Sequence, residues 1–97
     1  VTHLVICWLD EALKNDEIDM VLRETKQLES IPGVQEFSVG RAIQSDRDVV
    51  DDSFTFAIAM KFRNLEEMEA YLQHDIHVRY VQDILKPRAS RITVYDF

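Results

Sequence analysis

The sequence predicts an α+β fold, a four-stranded antiparallel sheet in the chain order βαββαβ with its helices on one face. Three observations predict it. Residues 54–62 alternate between large apolar and small or polar side chains at the two-residue period of a half-buried strand. Residues 15–30 and 65–85 instead repeat apolar side chains at helical spacing. The apolar runs near the two ends, residues 3–9 and 91–97, have the length of strands.

The first run sets His3, Val5 and Cys7 on one face and Leu4, Ile6 and Trp8 on the other, so both faces need cover. Ile18, Val21, Leu22 and Leu28 then form the apolar stripe of a helix over residues 15–30, with Asn15 as its cap and Asp16 and Glu17 in the first turn. Ile31-Pro32-Gly33-Val34 stops it, because proline disfavours a helical residue before it and glycine tolerates a positive φ. A second strand runs to about Ile43, and residues 44–53, with Asp46, Asp48, Asp51 and Asp52, form an exposed, mobile hairpin loop. The third strand puts Phe54, Phe56, Ile58, Met60 and Phe62 on one face and Thr55, Ala57, Ala59 and Lys61 on the other. Asn64 and Glu67 make a capping box that opens the second helix at Leu65; it breaks near His74, resumes through Val78, Val81, Ile84 and Leu85, and closes at Pro87. Residues 91–97 form the last strand. This order is the ferredoxin-like plan, one domain over residues 1–97. A sheet of this kind carries helices on one side only, so the second apolar face calls for a copy of the same chain, a homodimer through the open sheet face.

Composition narrows the partners. A net charge of -7 with no basic stripe excludes phosphate-backbone binding, so no nucleic acid is expected. No run approaches the roughly 20 apolar residues that span a bilayer, and residues 1–9 lack the basic flank and cleavage site of a signal segment, so no membrane is expected. The single cysteine, Cys7, cannot form an internal disulfide, and a cytoplasmic location follows as the expectation.

Chemistry near neutral pH points first to the three histidines, His3, His74 and His77. His3 opens the first strand, and His74 and His77 flank the helix break just after Tyr71, so strand start and helix break can meet at one end of the domain. Each has a structural alternative: His3 an edge-strand side chain bonded to a backbone carbonyl, Tyr71 a core residue with its hydroxyl at the rim, Cys7 a core residue rather than a nucleophile. His74 and His77 supply two potential metal ligands, too few for a site, and no metal or cofactor is assigned. P-loop, dinucleotide and common hydrolase motifs are absent, and the aspartate-rich loop lacks EF-hand spacing.

Four stretches, His3-Leu4-Val5, Ile31-Pro32-Gly33-Val34 before Gly40, residues 54–62, and residues 71–77 with the ending Tyr95-Asp96-Phe97, resemble the stress-responsive dimeric α/β barrel (Dabb) family over nearly the whole chain. The resemblance implies a homodimer whose two sheets pack into a barrel and a cavity in each copy between sheet and helices. Val5, Ile58, Ile92 and Val94 would form its apolar wall, with His3, Cys7, Phe56 and His74 also in the pocket. A plant polyketide cyclase of the family performs an aldol cyclisation with a histidine and a tyrosine, which by match fall on His77 as base and Tyr71 as the holder of the carbonyl oxygen. Where that enzyme has a further pocket histidine on the third strand, this chain has Phe56, which makes the pocket more apolar. Some plant relatives hold magnesium on backbone carbonyls near the turn at residues 31–34, a ligation that side chains do not encode.

The expectation is therefore a homodimeric protein that binds a small apolar ligand. The alternatives are a cofactor-independent lyase of the aldol-cyclase kind and, prompted by related dimeric barrels, a monooxygenase.

Overall fold

The computed structural model describes residues 1–97. Its strands are β1 (Thr2–Leu9), β2 (Gln35–Arg41), β3 (Phe56–Lys61) and β4 (Ala89–Asp96), and its helices α1 (Asn15–Thr25), α2 (Leu65–Gln73) and α3 (Asp75–Tyr80). A 3₁₀ turn, Lys26–Ser30, extends α1, and a π turn, Val81–Leu85, extends α3. The sheet order is β2-β3-β1-β4, and every pairing is antiparallel. This is the predicted ferredoxin-like α+β fold.

Register explains the division of faces, because directly opposed residues in antiparallel strands share a side. Met60, His3 and Asp96 form one row across three strands, Ile58, Val5 and Val94 the next, and Phe56, Cys7 and Ile92 the third. The β3 and β1 members of these rows are all buried, and with Val21, Leu28, Tyr71, Tyr80 and Leu85 from the helical layer they make the core. Burial pushes the Cys7 thiol up to about 12, which keeps it protonated and inert. Thr25 donates to the carbonyl of Val21 at 2.7 Å and accepts from the Tyr80 hydroxyl at 2.6 Å, so the polar atoms inside the helical layer are paired.

Several local expectations are corrected. The helix over residues 15–30 is shorter as an α-helix and tightens into the 3₁₀ turn at Lys26; its cap position is Lys14, with no side-chain bond, rather than Asn15. Phe54 lies outside β3 and on the opposite face, edge-on to Trp8 at 6.4 Å, since the loop folds over the open side before the strand begins. β4 starts two residues early, at Ala89. β1 is interior, so His3 is not on an edge strand. The Asn64 cap is present, accepting from the Glu67 N–H at 2.9 Å, while the Glu67 carboxylate accepts from Arg63 N–H rather than from that of Asn64.

The open face carries Leu4, Ile6 and Trp8 beside Ala57, Ala59, Thr93 and Tyr95, with no helix over it. Trp8 is fixed there: its indole N–H donates to Ser53 at 3.1 Å, and the Arg91 guanidinium sits 4.6 Å from its ring. A hollow of about 350 Å³ between this face and the loop is lined by Gly40, Ile43, Val50, Phe54 and Ala57 among others.

Gly33 adopts φ +92°, where an added Cβ would meet only ordinary contacts with Glu67 and Phe62. The penalty of Gly33→Ala is therefore backbone strain alone. It should cost about 1–2 kcal/mol, read as a lower urea midpoint with unchanged slope; an unchanged midpoint would show that the turn relaxes freely.

Candidate functional site

The site forms where β1 begins, β4 ends and the second helical segment breaks. The break has a local cause: His74 is extended (ψ 140°) and its Nδ1 accepts from the Ile76 N–H at 3.1 Å, capping α3. His74 Nδ1 therefore serves the backbone. The new helix turns His77 back over α2, where its Nδ1–H donates to the Leu72 carbonyl at 2.9 Å.

Four rings then meet. Tyr71 lies 4.7 Å from His77 and 5.9 Å from His3 between ring centroids, and Phe62 lies 5.1 Å from Tyr71. His3 and Tyr71 are 5% and 2% exposed. Asp96, directly opposite His3 in the β1–β4 register, accepts from its Nδ1–H at 2.5 Å. A carboxylate thus holds His3, not the backbone carbonyl of the structural alternative.

Tyr71 Oη, His77 Nε2 and His3 Nε2 make no hydrogen bond within the chain. Since no buried side-chain nitrogen or oxygen lacks a partner, each of these three atoms reaches solvent through an otherwise closed aromatic cluster. Their electrostatics are complementary. Burial, followed by the nearby Tyr80, raises the Tyr71 hydroxyl, which remains a proton donor at neutral pH. Burial lowers His77 most, with the neighbouring His3 adding to the effect and the Leu72 carbonyl opposing it. His77 is then neutral at pH 7, with its proton on Nδ1 and a free lone pair on Nε2.

The remaining predicted pocket residues divide. Val5, Cys7, Phe56 and Ile58 are sealed core, so the space between sheet and helices that a cavity would occupy is filled by their side chains. None of the surface hollows is lined by His3, Tyr71 or His77. Ile92 and Val94, on the same side of the sheet, are 39% and 46% exposed, because the helices do not reach across to β4. No group of three or more histidine, cysteine, aspartate or glutamate side chains is arranged to hold a metal; Asp51 and Asp52 bond instead to Ser53 and Ser45 within their own loop. Asp96 is the site residue that sequence reasoning missed. Its signal was available: in this strand order the last strand pairs antiparallel with the first, which brings residues near 96 opposite residues near 3.

The model of the Stress responsive A/B Barrel Domain matches residues 1–97. The chain belongs to the Dabb family. Among solved structures, this Dabb chain is similar to a Dabb family protein with a ferredoxin-like fold from Mesorhizobium loti, with 27% identity over 99% of this chain and 92% of that one and a TM-score of 0.83. A hydroxynitrile lyase from Passiflora edulis (18% identity, 99% and 89% coverage, TM-score 0.85) shares the fold. So does a dimeric ferredoxin-like protein of unknown function from Thermobifida fusca (18% identity, 99% and 87% coverage, TM-score 0.80). No curated protein matches by sequence. No helix is long and apolar enough to cross a membrane.

The histidine environment has a pH consequence. With its folded-state value below the ordinary 6.5, His77 binds fewer protons in the folded chain than in the unfolded one just below that pH. Its contribution to stability is present above 6.5 and is lost as pH falls toward the folded value. The NMR titration of the His77 ring should have its midpoint below 6.5, and His77→Gln should flatten the fall of the unfolding temperature in that window. A midpoint at or above the ordinary value would contradict the burial described.

Proposed function

We propose that this Dabb domain works as a homodimer, its open sheet face covered by a second copy, and that each copy binds a small, largely apolar molecule at the cluster of Tyr71, His77 and His3. The observation that carries the ligand site is the set of three polar atoms, on two buried rings and one half-buried ring, that face solvent without a protein partner. The uncovered side chains of Val94 and Ile92, one and two rows below His3 and Asp96, offer an apolar bed beside the polar head of the site. Dimerisation is supported by the uncovered apolar face and by the dimeric state of the Thermobifida fusca protein. A single buried thiol suits a reducing cytoplasm.

A second reading, cofactor-independent lyase chemistry of the aldol type, is favoured by the pairing of a neutral imidazole with a hydroxyl that stays protonated. His77 Nε2 would take a proton from the carbon beside a carbonyl. The electron pair moves onto the carbonyl oxygen, where the Tyr71 hydroxyl donates a hydrogen bond to the developing charge. The same fold carries lyase activity in the Passiflora edulis protein.

Acetophenone separates the two readings, because it offers one carbonyl and exchangeable methyl protons on an apolar ring. In the binding reading, it perturbs the NMR signals of Tyr71 and His77 in the wild type and not in Tyr71→Phe/His77→Ala. In the lyase reading, the protein also speeds deuterium exchange of the methyl group in D₂O by about 10²-fold or more, and His77→Ala abolishes the effect while Tyr71→Phe reduces it. A wild type that neither binds acetophenone nor exchanges its protons counts against the site.

A further inference from the structure

The open sheet face is divided into a small half and a large half. In the pairing register Ser38 and Gly40 of β2 lie beside Ala59 and Ala57 of β3, whereas Leu4, Ile6 and Trp8 of β1 lie beside Tyr95, Thr93 and Arg91 of β4. We infer that the two halves are complementary surfaces of one symmetric dimer: β4 of each copy lies over β2 of the other, and each Tyr95 ring fills the hollow above the partner's Ser38, Gly40, Ala57 and Ala59. The inference rests on the homodimer proposed above and states which strands meet in it.

The hollow has room for a ring. It measures about 350 Å³, and a cavity of about 150 Å³ already admits benzene. Its floor is made by the small side chains of β2 and β3, and Ile43, Val50 and Phe54 of the loop wall it. A Cβ built on Gly40 meets nothing within 4 Å. Tyr95 of the same chain does not reach this floor, because β1 stands between β4 and β3 and sets them two strand spacings apart, about 10 Å. The Tyr95 ring is left 57% exposed.

Symmetry allows two arrangements, and side-chain volume decides between them. A two-fold axis that packs two sheets face to face lies in the plane between them. Packed sheets keep their strands aligned to within about 30°, so the axis runs either across the strands or along them. Across the strands, β4 lies over β4, so the large halves collide and the two hollows face each other unfilled. Along the strands, β4 lies over the partner's β2 and β1 over the partner's β3. Tyr95 then falls in the row of the partner's Ser38 and Ala59, and Ile6 meets the partner's Ala57, so large side chains meet small ones. Charge agrees with this choice. Arg91, one row beyond Thr93, comes over the end of the partner's β2, where the loop with Asp46, Asp48, Asp51 and Asp52 begins. The area suffices as well. Four strands of six to eight residues give a footprint of roughly 500 Å² before side-chain relief, on the scale of the about 800 Å² that each partner buries in a standard interface.

The test is cross-linking between two co-expressed single variants, Gly40→Cys and Thr93→Cys, which the arrangement sets in facing rows and which leave Tyr95 in place. Cys7 is fully buried, so the wild type should not react with a short bis-maleimide. The mixed chains should give a covalent dimer whose mass shows one chain of each kind, and Thr93→Cys alone should not link, because the two β4 strands lie at opposite edges. Tyr95→Ala should weaken the dimer about 30-fold in sedimentation, the weight of one hot-spot ring, with an unchanged circular-dichroism spectrum. Linkage of Thr93→Cys to itself, or no linkage in the mixture, overturns the strand arrangement. A Tyr95→Ala dimer as tight as the wild type overturns the seating of Tyr95. A wild type that sediments as a monomer overturns the homodimer reading itself.

Discussion

All helical segments pack on the same side of a four-stranded sheet, and the other architectural features of this chain follow from that one-sidedness. On the covered side, rows from β3 and β1 interlock with Val21, Leu28, Tyr71 and Tyr80, and burial of these side chains at roughly 25 cal/mol per Å² of apolar surface supplies most of the drive to fold. The uncovered side is also apolar at its centre, with Leu4, Ile6, Ala57 and Ala59, and has an aromatic corner where Trp8 is braced by Ser53 and Arg91. Side chains of this kind form hot spots when a partner removes water from them. A second copy has the same surface to hide, which makes a symmetric pairing of the two faces the economical solution. It would also have to tolerate the net charge of -7 on each chain, and the central rows of this face carry no acidic residue.

The candidate site depends on the same layering. His3 faces the helices because residues 3, 5, 7 and 9 do, and Asp96 faces His3 because β4 returns antiparallel beside β1. The helix break brings His77 over Tyr71, and the cap that makes the break is itself a histidine. Residues 71–77 thus perform two tasks: His74 shapes the backbone, and Tyr71 and His77 present their polar atoms. The histidine-to-carboxylate pair adds a third group from the opposite ends of the chain, so the cluster exists only in the folded sheet.

Much of this was legible in the sequence, and the limits have physical reasons. Alternation over residues 54–62 and the Asn64–Glu67 cap point to the third strand, which the structure holds at Phe56–Lys61, and to the second helix, because both signals are local. Phe54 was misplaced because alternation does not show where a strand stops being paired, and its phenyl ring found a neighbour on the other face. His3, His74 and His77 stand out as the side chains that titrate near neutrality and Tyr71 by its place beside the helix break, while the roles of base and carbonyl holder for His77 and Tyr71 come from the family resemblance. Asp96 required pairing register, a long-range property. An open cavity behind Val5 and Ile58 was inferred from the resemblance, yet whether a layer is hollow depends on side-chain volumes summed across several elements. In this chain Phe56 and its neighbours fill it, leaving only the β4 side, Val94 and Ile92, uncovered.

The proposed homodimer covers the apolar sheet face of each chain with its copy. Sedimentation velocity at micromolar concentration, on the wild type and on Ile6→Glu, tests it most directly. A species of twice the chain mass that becomes a folded monomer in the variant is the predicted result. A wild type that sediments as a well-folded monomer across that range would contradict it.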